Sequence, residues 1–173
     1  GTVLIKEKGA DFLYSVLLHL IRNSMDHGIE APDQRAAAGK APRGTITIDL
    51  AFEPDHLILS YRDDGHGLDL DAIQNQGLEQ GLIKAGQNYS DLDIASLIFV
   101  SGFSTKNAVS EISGRGVGLN AVATYCQDIG VDIRIQLENS QDRTMVPFRF
   151  EITLPRTLFW IAQSPNQIAA QAS

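Results

Sequence analysis

The chain has few cysteines, tryptophans and cations, and each shortage removes a class of function. A single cysteine among 173 residues, Cys126 in the apolar run Val122-Ala-Thr-Tyr-Cys126, excludes an internal disulfide and a cysteine-rich metal site. It reads as a structural helix residue of a cytoplasmic protein. No apolar stretch reaches the roughly 18 residues that span a bilayer, and the first residues lack a signal-peptide pattern, so no membrane insertion is expected. Lys and Arg number 14 against 21 Asp and Glu, for a formal net charge of -7. The basic residues are scattered, which argues against nucleic acid as a partner. No Gly-x-x-x-x-Gly-Lys-Ser/Thr occurs, which excludes a Walker-type phosphate loop.

What is present is the composition of an ordinary globular domain, 43% hydrophobic and 20% charged, long enough for one substantial core. The chain opens on Gly1 rather than Met, so it reads as a segment cut from a longer protein. Residues 2 to 6 suit a short strand. Residues 11 to 29 read as a long helix, with Gly28 as its C-terminal cap. Thr45-Ile-Thr-Ile-Asp-Leu-Ala51 and His56-Leu-Ile-Leu-Ser-Tyr-Arg62 are strand-like, and the Pro and Asp between them predict a β-hairpin. Two short helices are expected near 69–76 and 91–98, in a glycine-broken insertion (about 68 to 115) that looks like a lid. A helix near 116–128 and strands near 131–138 and 147–154 follow, then a polar tail from 159 to 173, expected to be flexible. This order suggests an α/β two-layer sandwich: a mixed, mostly antiparallel sheet covered on one face by helices.

The chemistry concentrates in four places. In Leu18-His-Leu-Ile-Arg-Asn-Ser-Met-Asp-His-Gly28, residues His19, Asn23, Asp26 and His27 share one helix face, and polar groups enclosed there require partners. Asp63-Asp-Gly-His-Gly67 ends a strand, where glycines let backbone approach a ligand and a carboxylate can accept from an exocyclic amine. Gly102-Phe-Ser-Thr-Lys106 offers two hydroxyls and an ammonium. Gly114-Arg-Gly-Val-Gly118 opens a helix, where free N–H groups attract phosphate.

Together and in this order, these segments resemble the catalytic domain of CheA-type histidine kinases, within the superfamily that also holds gyrase, Hsp90 and MutL. The resemblance runs from about residue 11 to 155. It implies the Bergerat fold, an ATP-binding kinase domain over residues 1–158, and ATP with Mg²⁺ as ligands. By the same resemblance, Asn23 holds Mg²⁺, His19 orients or deprotonates the nucleophile, and Arg22 and His27 face phosphates. Asp63 reads adenine, and Ser104, Thr105 and Lys106 close over the γ-phosphate. Asp26, Gly65, Gly67 and the run Gly114, Arg115, Gly116, Val117, Gly118, Leu119 complete the nucleotide-binding set.

The implied partners are a phosphoacceptor histidine on a separate domain, a downstream response regulator, and a second copy held through a segment outside this chain. One departure is visible. Relatives place basic residues on the helix after the Asp-x-Gly-x-Gly turn, whereas Asp63 to Ile83 has neither Lys nor Arg, so weaker nucleotide binding is expected. An ATPase clamp, or a nucleotide-sensing module without phosphotransfer, is the alternative.

Overall fold

The computed structural model describes residues 2–103 and 119–162. The chain runs β1 (Thr2–Ile5), α1 (Glu7–Asn23), a π-helical turn (Ser24–Gly28), α2 (Pro32–Ala37), β2 (Ile46–Phe52), β3 (His56–Asp63), α3 (Leu70–Glu79), α4 (Asp91–Ser96), a short 3₁₀ turn (Leu97–Phe99), α5 (Leu119–Asp128), β4 (Asp132–Leu137), β5 (Phe148–Pro155), a 3₁₀ turn (Arg156–Leu158) and β6 (Phe159–Ala162). Four strands form one sheet in the order β2-β3-β5-β4, and β1 pairs with β6 in a separate ribbon. Every pairing among these strands is antiparallel, so the sheet contains none of the parallel pairs that the expectation of a mixed sheet allowed. Among the described residues, no helix is long and apolar enough to cross a membrane.

Helix α1 lies across the sheet because Phe12, Val16 and Leu20 recur every four residues on one face. All three are fully buried against Leu57, Leu59, Tyr61, Ile152 and Leu154. It starts at Glu7, earlier than expected, and its regular geometry stops at Asn23 rather than continuing to 29. The next five residues widen into a π turn, a distortion that recurs at functional positions in helices. Gly28 is not a left-handed cap, since it is absent from the glycines with positive φ. Its small size has another reason: a Cβ there would lie 3.1 Å from Asp63 Oδ2.

Helices α3 and α4 build a second core. Leu70, Ile73, Ile83, Ile94 and Leu97 pack with Ile135 of β4 and with Val146. Gly77 permits the close approach, because a Cβ there would meet Leu97 Cδ1 at 2.7 Å. Within the segment expected to act as a lid, α3 and α4 are thus packed against β4. Residues 104–118 and 163–173 lie outside the described residues. The tail expected from 159 begins instead with β6, whose Phe159 is fully buried and whose strand pairs with β1. The sequence reading stopped short because four residues are too few to carry a period.

Cys126 is buried in the main core. Burial first, and the nearby Asp132 second, push its thiol up to about 12. Because the thiolate is the reactive form, a thiol reagent at pH 8 is expected to leave the folded protein unmodified and to label it at once in denaturant. Rapid labelling of the folded chain would contradict this placement.

Candidate functional site

The end of α1 and the turn after β3 are joined by a short polar network. Ser24 Oγ donates to Asp63 Oδ2 at 2.5 Å and lies 2.8 Å from the Tyr61 hydroxyl. Ser24 is 3% exposed, so this contact is made out of water, where a hydrogen bond matters more. Burial raises the Tyr61 phenol, and the Asp63 charge adds to the effect, so Tyr61 stays protonated. The other Asp63 oxygen, Oδ1, accepts from the Gly65 N–H at 3.0 Å. Asp63 is thereby held in one orientation while each oxygen keeps acceptor capacity for a ligand.

Backbone contacts close the same seam. The His66 N–H donates to Gly28 O at 3.0 Å, and His66 Nε2 lies 2.7 Å from His27 O. The glycines are required by proximity. A Cβ on Gly65 would sit 2.1 Å from Gly28 O, and one on Gly67, at φ 79°, 2.4 Å from Val146 O. The sequence motifs at Asn23–Gly28 and Asp63–Gly67 thus share one side of the fold, with Asn23 half-buried at the end of α1.

His19 and Arg22 face that groove, a cleft of about 210 Å³ between α1 and α5 also lined by Ser15, Ala121 and Tyr125. His19 Nε2 is buried with no hydrogen-bond partner among the described residues. Burial first, and the Arg22 charge second, lower its pKa from 6.5. Its imidazole is therefore neutral at pH 7 and available as an acceptor. The sign follows for stability: with a folded value below the unfolded 6.5, the contribution of His19 is full above pH 6.5 and lost as pH falls through the folded value. An NMR titration of His19 is expected to give a midpoint under 6.5 that rises in Arg22→Gln; a midpoint at or above 6.5 in the parent would refute it.

Leu119 and Asn120 begin α5, whose Ala121 and Tyr125 line this groove. Ser104, Thr105, Lys106, Gly114, Arg115, Gly116, Val117 and Gly118 lie outside the described residues. Asp26 and His27 are exposed on the π turn.

A second network, centred on Arg35 of α2, was not read from the sequence. Its side chain is 1% exposed. It pairs with Glu30 at 3.0 Å and Asp64 at 2.9 Å, and donates to the carbonyls of Ala41 and Asp64 at 2.7 and 3.1 Å. Lys40 adds a 2.6 Å pair with Glu30 and donates to Gly65 O at 2.7 Å. The two cations therefore hold the backbone of the Asp64-Gly65 turn from behind. An acidic-basic cluster in a Pro-rich loop was the available signal, but solvated loops carry the same residues. Ser24 was also missed; its signal was a hydroxyl beside the polar stripe rather than on it.

The absence of basic residues on α3 has a structural counterpart. Arg143, from the β4–β5 connection, reaches that helix, pairs with Asp71 and Asp91 and donates to Gln74. That guanidinium is committed to carboxylates.

Comparison with known proteins shows the family. Residues 8–158 match the model of the family described as histidine kinase-, DNA gyrase B- and HSP90-like ATPase. The chain belongs to this ATPase family. Within the family it is similar to chemotaxis CheA proteins: 38% identical over 146 residues to that of Treponema pallidum, covering 84% of this chain and 17% of the relative. The CheA protein of Bacillus subtilis is 40% identical over 144 residues, covering 82% and 21%. A gliding motility regulatory protein of Myxococcus xanthus is 36% identical over 144 residues, covering 82% and 18%. The chain therefore spans about a fifth of the length of these relatives.

Proposed function

We propose that this chain is the ATP-binding catalytic domain of a CheA-like histidine kinase, which passes the γ-phosphate of ATP to a histidine on a separate phosphoacceptor domain. The observation that carries the reading is the fixed carboxylate of Asp63. It is anchored by Ser24 and Gly65 at the seam between the two motif-bearing turns, in a chain whose ATPase-family match extends over 8–158. A carboxylate oriented by buried donors is suited to accept the exocyclic amine of adenine.

Asn23 offers a hard oxygen at the end of α1, and its amide has no hydrogen bond among the described residues. Mg²⁺ favours hard oxygen ligands and is commonly shared between one or two protein oxygens and nucleotide phosphates. Asn23 would hold Mg²⁺, which neutralises the charge that develops on the phosphates. Arg22, from the same helix, supplies positive charge beside the groove, and Lys106 and the glycine-rich segment before Leu119 would supply the rest. Neutral His19 would orient or accept the proton of the incoming imidazole. A response regulator and a dimerised full-length protein in the cytoplasm complete the proposal.

The test has two steps. Calorimetric titration with a non-hydrolysable ATP analogue is expected to show magnesium-dependent binding that Asp63→Asn abolishes. Phosphotransfer to a supplied histidine-bearing domain is then expected from the parent and not from Asn23→Asp. No binding at millimolar analogue would overturn the nucleotide site, and phosphotransfer surviving in Asn23→Asp would overturn the metal assignment.

A further inference from the structure

Tyr61 and Asp63 stand two residues apart on β3, so their side chains leave the same, helix-covered face of the sheet. The row across the four strands at this level is Ile48, Tyr61, Phe150, Ile135, and Tyr61 supplies its only polar group. The side chain is 2% exposed and belongs to the main core. Packing has no use for a hydroxyl there. A phenylalanine would fill the same space, and a buried hydroxyl costs free energy unless it is paired. Its partner is Ser24, at 2.8 Å, whose Oγ also donates to Asp63 Oδ2.

These contacts have a direction. A carboxylate only accepts hydrogen bonds, and a serine hydroxyl has one proton to give. Ser24 gives that proton to Asp63, so at the other contact it accepts and Tyr61 donates. Burial raises the phenol from its ordinary 10.0, so the proton stays on Tyr61 at neutral pH. The chain therefore runs one way, from Tyr61 through Ser24 to Asp63, and in a buried site successive bonds of this kind strengthen one another.

The Ser24 hydroxyl also has somewhere else to go. A serine in helical backbone can turn its proton to the carbonyl four residues earlier, here Leu20, which already accepts from the Ser24 backbone N–H. Donation from Tyr61 holds Oγ toward the sheet, with its proton on Asp63. With that donor removed the hydroxyl is free to turn, and the Gly65 N–H on Oδ1 is left as the fixed donor to the carboxylate.

On the reading of Asp63 as the adenine acceptor, we propose that Tyr61 is a positioning residue for base selection: through Ser24 it fixes the Asp63 carboxylate to accept the exocyclic amine, from beneath and without touching the nucleotide. The effect is confined to the base. Contacts to sugar and phosphates do not depend on the direction in which Asp63 points.

The test compares, by calorimetry with magnesium and the whole chain, two non-hydrolysable triphosphates, one carrying adenine and one carrying purine without the exocyclic amine. The parent is expected to bind the adenine compound about tenfold tighter, the scale of one hydrogen bond to a charged group. In Tyr61→Phe, which removes one oxygen and keeps the ring in the core, that preference should fall to about threefold, with the loss on the adenine compound. Ser24→Ala should lower it as well, and adding Tyr61→Phe to Ser24→Ala should lower it no further, because the two act in series. A purely structural role for Tyr61 would weaken both compounds alike. A preference that stays near tenfold in Tyr61→Phe, or a further fall when Tyr61→Phe is added to Ser24→Ala, would overturn the proposal while Asp63→Asn still abolishes the preference. A parent that does not distinguish the two compounds, or a preference that survives Asp63→Asn, would overturn the adenine reading and the role of Tyr61 with it.

Discussion

Arg35→Ala is expected to lower the unfolding free energy by about 3 kcal/mol in a urea titration, the lower end of what breaking a buried ion pair costs. The lower end applies because the side chain of one partner, Asp64, is 43% exposed and can rehydrate, while Glu30 at 15% cannot do so as readily. Arg35 also satisfies carbonyls of Ala41 and Asp64, which lose a donor when it is removed. Arg35→Lys should recover only part of the loss, since an ammonium cannot reproduce a fork that reaches two carboxylates and the backbone. A loss below about 1 kcal/mol for the alanine variant would place the network among surface ion pairs of little consequence.

The same network sets an acid limit. For Glu30, burial acts upward, but hydrogen bonds from Lys40 and the backbone, the Lys40 charge and a hydrogen bond from Arg35 together outweigh it, and the carboxyl lies below 4.5. For Asp64, burial likewise acts upward and is outweighed by the Thr45 N–H and Arg35, so it lies below 3.8. Both values are depressed in the folded state, so their stabilisation is complete above about pH 4.5 and is lost as pH falls through the folded values. In Arg35→Ala that acid-dependent component should shrink.

Gly65→Ala is the second change with a large expected effect. Gly65 has no positive φ among the recorded glycines, so the substitution meets no conformational penalty. It meets the Gly28 carbonyl instead, at 2.1 Å, and something must move. Forcing a methyl into packed backbone costs about 1–3 kcal/mol. The displacement would separate the Asp63 turn from the π turn, so nucleotide affinity is expected to fall at least about tenfold. Retained affinity with lowered stability would show that the seam supports the fold and not the ligand.

The readable parts of the sequence were those where one local rule dominates. The β2–β3 hairpin followed from its strand-like runs and a Pro-Asp turn. The Asn23–Gly28 and Asp63–Gly67 motifs pointed to the candidate site because their residue types have few structural uses in that combination. What escaped depends on distant parts of the chain. The Ser24–Tyr61–Asp63 contacts bring together a helix end and a strand, and the cation at α3 arrives from Arg143 in another connection. Gly28 looked like a helix cap because a glycine ending a helix is usually one; only the position of Asp63 reveals that it is there for clearance. The boundary of α1 was misplaced because a π turn keeps helical spacing nearly intact while changing its hydrogen bonds.

The pairing of β3 with β5 also has a kinetic consequence. Tyr61 meets Phe150 and His56 meets Pro155, so the central seam of the sheet joins opposite halves of the chain, and Leu68 bridges to Val146 beside the site turn. Such contacts must overcome loop-closure entropy before they stabilise anything. The β2–β3 hairpin can form while the chain emerges. The Asp63–Gly67 turn loses its backing at Val146 until the last strands arrive, so a chain released early would carry every residue of the first two motifs and still lack a shaped site.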